Sequence, residues 1–131
     1  MKPLVWFDRA DALAIHESML SQYGGLAGVR DENMLESALA KPRNLFAYGR
    51  PALADLAAAY AAGIVLNHPF LDGNKRTGFM TAAAFLELNG LEFSATEVDA
   101  VIQTLALAAG ALDEAGYSAW LKKNSHRVRH R

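Results

Sequence analysis

The sequence predicts an all-α fold: one helical domain over residues 1–121 with at most a short minor strand pair or flap, followed by a basic C-terminal tail over 122–131. Three observations carry that expectation. Apolar residues recur at helical spacing through most of the chain. Cap-forming Asp and Thr residues stand before these stretches, and Gly or Pro stands behind them. Ala is dense at positions 52–62 and again at 82–84, where small side chains let two central helices approach closely.

In chain order, Asp8 is placed to cap a helix through ADALAIHESMLSQ, with Leu13, Met19 and Leu20 among its apolar positions. YGG at 23–25 stops it. GGLAG is a tight loop. Asp31 is placed to cap ENMLESALA, which Pro42 is expected to close. RNLFAYGRP at 43–51 suits an irregular loop or small hairpin. Asp55 can cap a third helix reaching about Asn67, which ends near His68 because Pro69 disfavours the α region in the residue before it. A fourth helix starts around Asn74 and stops at Gly90. LEF at 91–93 reads as a short strand, with LVWF near the N-terminus as its predicted partner. Thr96 and Asp99 resemble a capping box before EVDAVIQTLALAAG, and a last helix, SAWLKKN, leads into the tail. No internal repeat is evident.

Composition narrows the function. A hydrophobic fraction of 52% in 131 residues is enough to build a core in one domain. There is no cysteine, which excludes a disulfide framework, a thiolate metal site and a Cys nucleophile, and is consistent with a cytoplasmic protein. MKPLVWFDRADAL lacks the apolar core of a signal peptide. The longest apolar run, LAAAYAAGIVLN, is too short to span a bilayer, so no membrane partner is expected. Residues 1–121 hold eight Lys/Arg against 14 Asp/Glu, a net of −6, while the last ten residues hold five Lys/Arg and no acid. So acidic a body argues against direct nucleic-acid binding.

Within that acidic body, HPFLDGNKRTG at 68–78 crowds together groups suited to handling phosphate. The start of a helix presents unpaired N–H groups and the positive end of the macrodipole, which together favour an anion. Gly73 allows close backbone approach, and Asn74 can donate to a phosphate oxygen. Lys75 adds a point charge, and Arg76 a fork that grips phosphate at two points. Asp72 is a hard oxygen ligand suited to Mg²⁺, which takes one or two carboxylates plus phosphates. His68 can serve as a general base near neutral pH. Taken singly, these residues read as an ordinary His before Pro, an Asp-Gly turn and solvated cations; crowded into one helix–helix joint, they read as a phosphate-transferring site. Phe70 is the apolar anchor of the loop. GNKRT is not a P-loop, since no Gly lies five residues before Gly73. The kinase segments HRD and DFG are absent.

These residues closely resemble the signature loop of Fic/Doc proteins, H-x-F-x-[DE]-G-N-[GK]-R, and the Lys in NKR resembles the Doc (death-on-curing) branch, the toxins of toxin–antitoxin pairs. HESMLSQYGGLAGVRDENMLESALAKP resembles the Doc-type N-terminal segment and FLELNG the helix end after the signature, so the resemblance covers most of residues 8–95. It implies an all-α Fic fold and ATP- and Mg²⁺-dependent modification of a protein hydroxyl. Most Fic enzymes transfer AMP, whereas the Doc toxin transfers the terminal phosphate of ATP to a threonine of elongation factor Tu and arrests translation. By that resemblance His68 is the base, Asp72 the Mg²⁺ ligand, and Gly73, Asn74, Lys75 and Arg76 hold the phosphates.

Two departures from the AMP-transferring pattern G-N-G-R-x-x-R favour phosphoryl transfer. Lys75 replaces the second Gly, and Phe79 stands where the last Arg belongs. Gly73 points the other way, since Doc loops can carry Ala there. AMP transfer to another protein remains the alternative, and a catalytically silent antitoxin-binding module is a third reading. No Ser or Thr has Glu four residues on, so the inhibitory pattern [ST]-x-x-x-E-[GN] is absent, and control falls to a separate antitoxin whose binding segment is disordered until bound. Residues 43–51 correspond to the Fic flap, which aligns a target by strand addition. There, Phe46 and Tyr48 either contact the target or antitoxin or pack inward. His16 matches a His common in Doc-like first helices but has no physical role readable from sequence. Asp31 reads as a cap, and the tail from Lys122 as frayed and solvated.

Overall fold

In the computed structural model, which describes residues 3–128, six helices and one two-stranded antiparallel pair form a single helical body: α1 (Arg9–Tyr23), α2 (Glu32–Ala47), α3 (Leu53–Asn67), α4 (Asn74–Leu88), β1 (Leu91–Phe93), α5 (Glu97–Ala109), α6 (Glu114–Lys123) and β2 (Ser125–Arg127). The all-α expectation with a minor strand pair holds.

The Ala-rich α3 lies at the centre. Every residue from Leu56 to Val65 is buried, as expected of a helix that is apolar all round. Small residues set how closely its neighbours come. A Cβ on Gly63 would lie 2.9 Å from Ala38 Cα of α2, and one on Gly78 of α4 would lie 2.6 Å from Val65 Cγ2. On the opposite side α6 inserts Tyr117, whose hydroxyl shares a 2.8 Å hydrogen bond with Thr104 of α5; burial pushes its phenol up to about 12.

Capping follows sequence closely for α1, α2 and α5, where Asp8, Asp31 and Thr96 accept backbone N–H groups. The last helix begins earlier than SAWLKKN: α6 starts at Glu114, where Asp113 accepts from Gly116 N at 2.7 Å. Asp55 is not the cap of α3: the helix starts at Leu53, and the Asp55 carboxylate accepts the Ala52 N–H at 2.8 Å from inside the first turn. Thr96 and Asp99 form only half a capping box. The Asp99 carboxylate accepts from Trp120 Nε1 at 2.7 Å instead.

Three other expectations are corrected. Pro42 does not close α2, which runs on to Ala47, so residues 43–47 are helical rather than loop or hairpin. Contacts hold the helix on either side of the proline: before it Lys41 pairs with Glu114, and beyond it the Arg43 guanidinium lies 5.0 Å from the Trp6 ring centroid and Phe46 meets Trp6 edge-on at 5.5 Å. Packing here overrides the single lost helix hydrogen bond. β1 pairs with β2, Phe93 opposite Ser125, not with LVWF. The N-terminal segment is held by side chains instead: Asn89 exchanges two hydrogen bonds with the Val5 backbone, and Tyr60 Oη accepts from Phe7 N. The basic segment is also more ordered than expected. Lys122 and Lys123 complete α6, where cations suit the negative helix end, and Ser125–Arg127 form β2; residues 129–131 lie outside the described part.

Candidate active site

The segment 68–78 joins α3 to α4, which pack closely against each other, so its ends are fixed by the core. His68 caps α3 in the left-handed conformation (φ 51, ψ 56), where Pro69 keeps it out of the right-handed helix. It is exposed. Phe70, fully buried, plugs the loop into a cluster with Ala12, Leu35, Ala38 and Ile64. Gly73 adopts φ 75 and starts α4.

The start of α4 differs from every other helix start. It has no side-chain cap and no acid in its first turn, whereas the other five helices each carry Asp or Glu there. Instead it carries Lys75 and Arg76, both exposed. The positive end of the macrodipole and two cations therefore share one turn that holds no acid, an arrangement that costs stability and favours an anion. The Arg76 guanidinium stacks 4.4 Å from the Tyr23 ring centroid, which holds its fork in place.

Asp72 is exposed. Its Oδ1 accepts from Gly73 N at 2.9 Å and its Oδ2 from Leu26 N at 3.2 Å. Both oxygens keep a lone pair, so the carboxylate can still ligate a hard cation. Among the described residues no group of three or more His, Asp or Glu side chains could enclose a metal. A cation here would have Asp72 and take its other ligands from phosphate and water, as Mg²⁺ commonly does.

Asn74 has a different partner from the one expected. Its Oδ1 accepts from Phe70 N and its Nδ2 donates to Phe70 O, both at 3.0 Å, and the side chain is buried. The amide closes the loop on itself, so Asn74 braces the loop beneath the candidate anion site. The helix-start backbone of Gly73 and Asn74 and the side chains of Lys75 and Arg76 are what an anion would meet. On the flap side, Tyr48 is 91% exposed and Phe46 is half-exposed against Trp6. Of the two, Tyr48 faces outward.

Sequence reasoning missed the residues that hold the loop from outside. His16, buried in α1, stacks on Phe70 with centroids 3.9 Å apart and an 8° interplanar angle, and its Nε2–H donates to Asp72 O at 2.8 Å. It fastens the metal-ligand candidate to the apolar anchor. The α1–α2 loop then runs alongside: Gly28 O accepts from Leu71 N, Val29 bridges Phe70, and Gly25 approaches so closely that a Cβ would lie 2.7 Å from Asp72 Oδ2. The three glycines in YGGLAG were the readable signal for such an approach. His16→Phe keeps the stack and loses only the hydrogen bond. It should lower unfolding free energy by about 1–3 kcal/mol, since Asp72 O loses its donor, and this is measured by urea denaturation.

Residues 6–86 match the Fic/DOC family model. The chain is 38% identical over 93 residues to a protein named Toxin Doc from Mycolicibacterium smegmatis, a match covering 69% of this chain and 68% of that one. It is 32% identical over 83 residues to Protein kinase doc of Escherichia phage P1, covering 63% and 66% respectively.

Proposed function

The chain belongs to the Fic/Doc family, and from that premise we propose that it is a Doc-like toxin that transfers the terminal phosphate of ATP to a protein hydroxyl, a threonine of elongation factor Tu, and so arrests translation. The observation that carries the reading is the placing of an exposed His68 at the end of α3, one short loop before the uncapped, cationic start of α4.

In this reading His68 accepts the proton of the target hydroxyl as its oxygen bonds to phosphorus, while the phosphoanhydride bond breaks and ADP leaves. The first-turn N–H groups of α4 with Lys75 and Arg76 bind the phosphates, and they stabilise the charge spread over the transferring group. Asp72 would hold Mg²⁺, which when bound neutralises phosphate charge. Two residues favour phosphoryl over AMP transfer. Phe79 turns into the aromatic cluster with Phe93 and Trp120, at 5.9 and 6.2 Å, and so offers no cation where AMP-transferring loops have Arg. Lys75 places a side chain where those loops have bare backbone.

Names of the relatives support a toxin controlled by a cognate antitoxin. No helix among the described residues is long and apolar enough to cross a membrane. The test is intact mass spectrometry of elongation factor Tu after incubation with the protein, ATP and Mg²⁺. One added phosphate is expected. An AMP adduct would replace phosphoryl with adenylyl transfer, and an unmodified factor would remove it as the target.

A further inference from the structure

The structure assigns Arg30 a positioning role for His68, an inference that rests on the reading of His68 as the base. Arg30 sits in the α1–α2 loop, 38 residues from His68 in sequence, and its side chain is exposed. Its Nε donates to His68 O at 2.6 Å and its Nη2 to Asn67 O at 2.9 Å. The backbone N–H groups of Arg30 and Asp31 both donate to Pro69 O, at 2.7 and 3.1 Å. Three consecutive carbonyls at the end of α3 therefore face one dipeptide.

His68 is the only residue other than glycine with positive φ among the described residues. Such a backbone is disfavoured for an L-residue with a side chain and persists where its surroundings over-determine it. Pro69 excludes the right-handed helix but leaves the extended region open, and extended backbone would swing the His68 carbonyl away from Asn67 O. The guanidinium fork prevents this by holding both carbonyls at once, at the negative end of α3 where a cation is favoured. Backbone dihedrals at His68 set the direction in which Cβ leaves the chain, and so where the imidazole starts. Arg30 thereby fixes the base without touching substrate. A Lys, with a compact point charge on a flexible stem, cannot reproduce the two-carbonyl fork.

Because the bonds from Arg30 N and Asp31 N to Pro69 O belong to the backbone, Arg30→Ala leaves the loop docked and removes only the fork. The test compares wild type, Arg30→Ala, Arg30→Lys and His68→Ala in steady-state phosphorylation of elongation factor Tu, with unfolding midpoints and NMR assignment of His68 alongside. For Arg30→Ala the expected result is a kcat at least tenfold lower with KM for ATP within twofold. Its unfolding midpoint should stay close to wild type, and its His68 Cα and Cβ shifts should leave the left-handed range. Arg30→Lys should fall between. Added guanidinium ion should restore part of the Arg30→Ala rate, with sodium at equal ionic strength restoring none. A kcat within twofold of wild type, or His68 shifts unchanged in both Arg30 variants, would overturn the proposal. So would a loss of ATP binding equal to the loss of kcat. The NMR arm needs no substrate, so a failure of the base reading, seen as full activity in His68→Ala, is told apart from a failure of Arg30 to set the His68 backbone.

Discussion

His68→Ala is expected to abolish modification of the target while leaving the fold intact. Removing a positioned general base lowers kcat by about 10²–10⁴-fold, and the side chain is exposed, so its loss opens no cavity. The unfolding midpoint should stay near that of wild type. In growth assays, induction of wild-type protein without antitoxin should stop growth, and induction of His68→Ala should not. Equal growth of the two strains, with both proteins folded and expressed, would rule out the toxin reading. His68→Gly is the informative companion. Glycine adopts φ 51 freely, so that variant keeps the loop and lacks only the imidazole. It should be as inactive as the alanine variant.

Phe70→Ala is expected to have the largest effect on stability, about 3–5 kcal/mol, because it empties a fully buried aromatic site. The ring is also the surface on which His16 stacks, and its backbone is the partner of the Asn74 amide. Truncation therefore loosens α1, the loop and the start of α4 together. Denaturation in urea should show a lower midpoint with an unchanged slope if the fold is kept. Residual modification activity should fall further than the populated native fraction predicts, since the loop loses its anchor even in folded molecules. A stability change below 1 kcal/mol would mean that the loop repacks without this ring.

What could be read from sequence was set by short-range physics. Helix starts were legible where an Asp or Thr side chain caps its own helix, as at Asp8 and Asp31, because that bond spans three residues. The loop 68–78 was legible because its chemistry is contiguous. Where a distant element decided the outcome, local rules failed. Pro42 was expected to end α2, but Trp6, far away in sequence, holds the turns after it through Arg43 and Phe46. The partner of β1 was expected at the N-terminus. Asn89 already satisfies the Val5 backbone there, and the chain leaving α6 takes the place beside β1. Asn74 looked like a phosphate ligand because two cations follow it in sequence, and only the folded loop shows its amide turned back on Phe70. His16 and Arg30 carried no readable role, since each acts on carbonyls 56 or 38 residues downstream.

The bare start of α4 has a consequence for selection. A cap and an acid in the first turn would stabilise that helix by on the order of 1 kcal/mol, and all five other helices carry an acid there. A sturdier version of this protein therefore lies a substitution or two away, and under the proposed function the added carboxylate would repel the phosphates of ATP. Mutational drift toward stability at this turn would thus be drift toward harmlessness. A population relieved of the need for an active toxin should accumulate acids here before it loses the core.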